Sequence, residues 1–289
     1  MIDFLPRIPR AAIGPVLLAS LIILMAWLLA PPPRPSIAPP SAVRAPAAPE
    51  RPVIPGASTS TPAHLSGEYI PASDELDIVS AEGLFPAGDK EALAADLGRA
   101  LAYVSQRFGS GPSSRFSAYL GMEPGCGIHG IAYTTERTVQ VYTCPDLPRA
   151  RAVNILAHEF VHQLAQDRYG DRHLQADQIL LEGVATWGAG DYWLGDKPSF
   201  AAFVRPWVVA GSTLPLATSY VGRPIGDMNT LYYEWASFVE FLIKAYSRDK
   251  FDALYVSGHS DPGSADYQGV YGKALDQLEA EWRSWVLTQ

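Results

Sequence analysis

The stretch NILAHEFVHQLAQ, residues 154–166, places His158 and His162 four residues apart with Glu159 directly after the first. On a helix that spacing projects two imidazoles side by side, one turn apart. Such a pair can hold one zinc ion (Zn2+) at about 2.0–2.1 Å from each nitrogen. Glu159 lies roughly 100° round the helix from His158, which excludes it from the same coordination plane. It remains near enough to reach a metal-bound water, the place of a general base. Val153, Leu156, Phe160 and Leu164 fall on an opposed stripe, so core packing does not require the histidines.

A catalytic zinc needs a third protein ligand and an open fourth position. Three residues qualify by type: His173, Asp177 and Glu182, which are eleven, fifteen and twenty residues beyond His162. His173 sits just past a break at Gly170, among polar residues, and is expected at the surface. A metzincin would need Gly at 165 and His at 168, where this chain has Ala165 and Arg168. Glu182 is surrounded by Ile179, Leu180, Leu181, Val184, Ala185 and Trp187. Burying an unpaired carboxylate there costs several kcal/mol, and a metal partner removes that cost. The bland alternative is a glutamate on a narrow solvent face of its helix.

His158-Glu159-x-x-His162 followed by Glu182-Gly183-x-Ala185 resembles the gluzincin zinc metallopeptidases of the peptidase MA-like group. The likeness extends more loosely to YYEWASFVEFLIKAY and VYGKALDQLEAEWRSWV downstream. It implies His158, His162 and Glu182 as zinc ligands and Glu159 as the base that activates zinc-bound water. It also implies a peptide or protein substrate lying along the edge of a small sheet, for which TVQVYT at 138–143 is the expected edge strand. In related enzymes a downstream tyrosine or histidine donates to the oxyanion. Tyr232 and Tyr233 are the candidates here, register favouring Tyr232 and ordinary packing being the alternative; His259 is a third. Some gluzincins carry a carboxylate four residues after the third ligand to orient the first histidine, and this chain has Thr186 there.

Positioning these residues falls to a strand-rich first half and a helical second half. Strands are expected within 68–81 and 114–121, with a hairpin over 126–144 turning at Thr134–Arg137. Helices are expected over 89–109, 149–168, 174–189, 198–210, 229–247, 249–258 and 271–289. Strands first and helices after read as α+β, a small β-sheet followed by a mostly helical, zincin-like half. A hairpin centred on Thr135 sets Cys126 opposite Cys144, so a disulfide across its base is expected. It stabilises by about 3 kcal/mol in the loop-entropy view and suits an oxidising compartment. The run GCGIHG at 125–130 fits G-x-G-x-x-G, but it opens a β-rich run rather than a helix and does not read as a dinucleotide site.

Residues 11–30 hold no charge over twenty positions, long enough to span a bilayer as a helix. Leu28 and Ala30 make a poor cleavage site and Pro31 follows directly, so an uncleaved signal anchor is expected, with a cleaved signal peptide as the alternative. Arg7 and Arg10 keep residues 1–10 cytoplasmic and send the rest outward. Eleven prolines among residues 31–62 make 31–63 a semi-rigid linker to a metallopeptidase domain at 64–289. Five of the 22 basic and two of the 30 acidic side chains precede residue 64, which leaves that domain at a formal −11. No basic patch is visible and nucleic acid is a poor partner. The expectation is therefore a single-pass, extracytoplasmic (periplasmic or extracellular) zinc peptidase. A non-catalytic peptide-binding or scaffold domain is the alternative, although it has no need of Glu159. Hydrolysis of a non-peptide amide at the same zinc is a third reading.

Overall fold

In the computed structural model of the chain, residues 66–289 are described. The expected cytoplasmic segment, membrane anchor and linker lie outside them. No helix among the described residues is long and apolar enough to cross a membrane.

The sheet has five strands among the described residues: β1 (Glu68–Pro71), β2 (Leu76–Ser80), β3 (Phe116–Met122), β4 (His129–Tyr133) and β5 (Thr138–Thr143), in the order β1-β2-β3-β5-β4. The two inner pairings, β2 with β3 and β3 with β5, are parallel, and both outer pairings are antiparallel. Helix α1 (Lys90–Phe108) makes the crossover between β2 and β3. Its Leu93, Leu97, Ala100, Leu101, Val104 and Phe108 recur at helical spacing and are all buried. β5 is covered on both faces, consistent with its nearly unbroken run of buried residues.

The strand expected at the edge is thus an interior one. β5 lies between β3 and β4, and β4 takes the edge. The hairpin turns at Thr134–Arg137 as expected, with Arg137 in the left-handed region at φ 52°. Its register pairs Tyr133 with Thr138 and His129 with Tyr142, one residue off a turn centred on Thr135. The strands part before the cysteines are reached, and Cys126 still bonds Cys144 with 5.0 Å between their Cα atoms.

The helical half comprises α2 (Arg149–Tyr169), α3 (Gln178–Ala189), α4 (Asp191–Leu194), α5 (Phe200–Val209), α6 (Ile225–Ala245), α7 (Arg248–Tyr255), α8 (Tyr267–Tyr271) and α9 (Leu275–Thr288). α2 packs between the sheet, α1 and α3, which explains why it is buried nearly all round. α3 starts later than expected because residues 170–175 form a 3₁₀ turn and Asp177 is the N-cap, its carboxylate accepting from Ile179 N–H. α3 and α6 approach closely at Gly183, where a Cβ would come within 2.8 Å of the Trp235 carbonyl oxygen. Buried Glu234 and Glu240 on α6 accept from the backbone N–H groups of Leu214 and Ala201, tying neighbouring segments to that helix. Three helices, α2, α3 and α6, are in this way fixed against one another around the residues singled out above.

Candidate metal centre

α2 contributes His158 and His162, whose Nε2 atoms point at each other 3.1 Å apart. α3 contributes Glu182, whose Oε2 lies 3.2 Å from His158 Nε2 and 3.7 Å from His162 Nε2. All three side chains are buried. Ligands about 2.0–2.1 Å from a tetrahedral zinc stand roughly 3.3 Å from one another. The three separations bracket that value, and two imidazoles with one carboxylate are a donor set zinc accepts. Glu182 Oε1 is buried with no hydrogen-bond partner, a cost the protein alone does not offset. The residues therefore fit a zinc ion.

The charges are arranged to the same end. Burial alone would raise the Glu182 carboxyl, but hydrogen bonds to His158 and His162 outweigh it and hold the group down at about 2. Burial lowers His158. It acts on His162 too, but there the bond to Glu182 and the surrounding carboxylates prevail and raise it.

Glu159 is 3% exposed and lies beneath the edge strand. A Cβ on Gly130 of β4 would stand 2.3 Å from Glu159 Oε1, so a larger residue there would displace the carboxylate from this position. Glu159 Oε2 is buried without a partner. Burial pushes the group up to about 8, with His162 opposing the shift. In the metal-free protein burial thus keeps this carboxyl largely protonated at neutral pH, and a divalent cation held by the neighbouring residues would favour the carboxylate that a base requires.

The adjacent tyrosines of α6 diverge. The Tyr232 ring lies 5.7 Å from that of His158, and burial with the charge of Glu182 pushes its phenol well above the ordinary value. Tyr232 therefore stays protonated as a donor beside the centre. Tyr233 donates to the Trp193 carbonyl at 3.0 Å and stacks on Phe203 with ring centres 4.0 Å apart. Its hydroxyl is spent on holding α4 to α6. His259 lies in an exposed loop, its backbone N–H donating to Ser264 Oγ.

The other two candidates for third ligand do not join the cluster of ligand atoms formed by His158, His162 and Glu182. Asp177 accepts from Ile179, Gly263 and Ala265 N–H and from the Tyr267 hydroxyl. His173, expected at the surface, is fully buried, because the 3₁₀ turn folds it under α2. Thr186 Oγ1 lies 3.4 Å from His158 Nδ1, a long contact for the partner of a ligand histidine.

Sequence reasoning missed two aromatic residues at the centre. Trp193 of α4 sets its ring 5.4 Å from that of His158, with its indole N–H donating to the Asn154 carbonyl at 3.1 Å. Tyr220 stacks on Tyr232 at 5.9 Å. A large aromatic in the polar run GDYWLGD was the one available signal for Trp193; Tyr220, in ATSYVGRP, sits in no periodic pattern.

No family model matches the chain, and no curated protein does. Among solved structures it is similar to an M1 zinc metallopeptidase from Deinococcus radiodurans, at 21% identity and a TM-score of 0.42, over 76% of this chain and 50% of that one. A point mutant of an M1 zinc metallopeptidase from the same organism matches at 20% identity and 0.42, over 75% and 50%. A two-domain M1 zinc metallopeptidase mutant bound to L-arginine matches at 20% and 0.44, over 76% and 51%. The chain spans about half the length of these structures.

Proposed function

We propose that residues 64–289 form a zinc-dependent peptidase in which His158, His162 and Glu182 hold the metal, Glu159 is the base and Tyr232 the oxyanion donor. One observation carries this reading: three buried ligand atoms stand at zinc-like separations beside a base buried beneath an edge strand. When bound, zinc supplies a Lewis acid that polarises the scissile carbonyl and acidifies water.

The remaining work belongs to the chain. Among the described residues no strand pairs with the outer edge of β4, so a peptide can add there as a further strand. That places its backbone beside β4, the strand that covers Glu159. Glu159 takes a proton from the attacking water as the oxygen bonds to the carbonyl carbon. As the C–N bond breaks, it delivers that proton to the leaving amine. The Tyr232 hydroxyl donates to the oxygen that gains charge. Trp193, half-buried beside His158, walls the centre and limits water around it.

The uncharged stretch at 11–30, the proline-rich linker and the Cys126–Cys144 bond support an anchored, extracytoplasmic enzyme. The full chain is expected to bind one zinc and to cleave members of a broad peptide library. Glu159→Gln is expected to keep the zinc and lose cleavage by about 10²–10⁴-fold. Metal-free wild-type protein under zinc-replete conditions would overturn the site. Zinc retained by a wild type that cleaves nothing would favour a peptide-binding or scaffold domain.

A further inference from the structure

A histidine that ligates a metal through one ring nitrogen carries its proton on the other, and that N–H needs an acceptor. For His158 the nearest acceptor is Thr186 Oγ1. His162 Nδ1 is buried and has no hydrogen-bond partner at all. Beside it lies a second ring in the same condition. His173 packs with its ring centre 5.6 Å from that of His162, and its Nε2 is likewise buried and without a partner. It is the one buried side chain of the 170–175 turn, in an otherwise polar stretch. Its other nitrogen, Nδ1, is 2.8 Å from the Tyr255 hydroxyl.

The tautomers settle into a single consistent chain. If His162 offers Nε2 to the metal, its proton sits on Nδ1. A water that accepts from His162 Nδ1–H can donate to His173 Nε2 only when the His173 proton sits on Nδ1. The Tyr255 oxygen is in place to accept from Nδ1. We propose that His173 and Tyr255 are positioning residues that orient His162 for the metal, through one buried water between His162 Nδ1 and His173 Nε2. This rests on reading His158, His162 and Glu182 as a metal site. It assigns His162 a histidine as its support, whereas His158 has only a long contact to a threonine.

The test uses the full chain, with zinc affinity measured by chelator competition, the Co2+ absorption spectrum, and melting temperature with and without zinc. His173→Phe keeps a ring but removes both nitrogens, and is expected to weaken zinc about 10–100-fold and to shift the Co2+ bands. His173→Gln keeps an acceptor and is expected to recover most of that loss. Tyr255→Phe, one oxygen smaller, is expected to weaken zinc by less than His173→Phe, because it frees His173 to adopt the other tautomer. Wild-type zinc affinity and Co2+ spectrum in His173→Phe overturn the relay. So does a lower melting temperature for the metal-free protein with an unchanged gain on adding zinc, which marks a packing role only. Should His173→Phe fail to fold, Tyr255→Phe decides: wild-type affinity there overturns the relay. A wild-type chain that binds no zinc overturns the metal site itself and the relay with it, whereas a zinc-binding wild type with indifferent variants overturns the relay alone.

Discussion

Asp177 caps α3, and Glu182 lies five residues further along the same helix. Both carboxylates are wholly buried. The protein surrounds Asp177 with donors: Ile179 and Gly263 N–H reach one oxygen, Ala265 N–H and the Tyr267 hydroxyl the other. Around Glu182 it places two histidine nitrogens near one oxygen and leaves the second bare. One carboxylate has its lone pairs consumed by its own fold; the other keeps them for something outside the fold. Burial and charge do not separate the two roles, but hydrogen-bond satisfaction does.

The largest expected effects test that contrast directly. Glu182→Ala should weaken zinc by well over the roughly 10–100-fold that loss of a supporting partner costs, since it removes a ligand. In the metal-free protein it should cost stability in full only above pH 4.5, where His158 and His162 hold the carboxyl down at about 2. Asp177→Ala should spare zinc affinity and cost stability. It strands a helix cap and three further donors, at a cost on the order of 3 kcal/mol. Chemical denaturation with parallel zinc titration measures both. The contrast breaks if Asp177→Ala loses zinc while its metal-free stability is unchanged.

How much of this was legible depends on how local each signal is. His158 and His162 share a face because helical periodicity fixes it, whatever surrounds the helix. Glu182 stood out because a carboxylate among six apolar neighbours needs a partner. The choice between Tyr232 and Tyr233 rested on about 100° of helix rotation. That rotation is set by how α6 docks on α3 at Gly183, and no local pattern encodes it. The burial of His173 was hidden for a related reason. YGDRHLQAD reads as surface, and what covers the histidine, including Tyr255 of α7, arrives some eighty residues later. The hairpin was plain in the sequence, but either of its strands can dock beside β3, so the edge strand was assigned to the wrong member.

An intermediate effect follows from Glu159, the third buried carboxyl of this neighbourhood, measured in the metal-free protein. Its carboxyl is pushed up by burial from 4.5 to about 8. An acid raised on folding holds its proton in the native state where the unfolded chain has released it. Its contribution to stability is therefore fully present below about 4.5 and is lost as pH rises through about 8. Glu182, held down at about 2, has the opposite sign: its contribution is present above 4.5 and is lost as pH falls towards 2. Metal-free Glu159→Gln should accordingly lose the alkaline decline between those limits and keep the acid one. Denaturant melts across pH 2–9 measure this, and an unaltered alkaline limb in the variant would show that Glu159 is not buried as described.

The smallest expected effect concerns Thr186. A hydroxyl 3.4 Å from His158 Nδ1 is at the outer limit of a hydrogen bond, so little orientation energy depends on it. Thr186→Val preserves the shape, removes that acceptor and should weaken zinc by less than the roughly tenfold at the low end for a supporting partner. The comparison with His173→Phe is the informative part. If the two histidine ligands are held unequally, His162 by a histidine and His158 chiefly by packing against Trp193 and Tyr232, the threonine variant is the milder of the two. A Thr186→Val protein that loses more zinc affinity than His173→Phe would reverse that order and make the threonine the principal support of the centre.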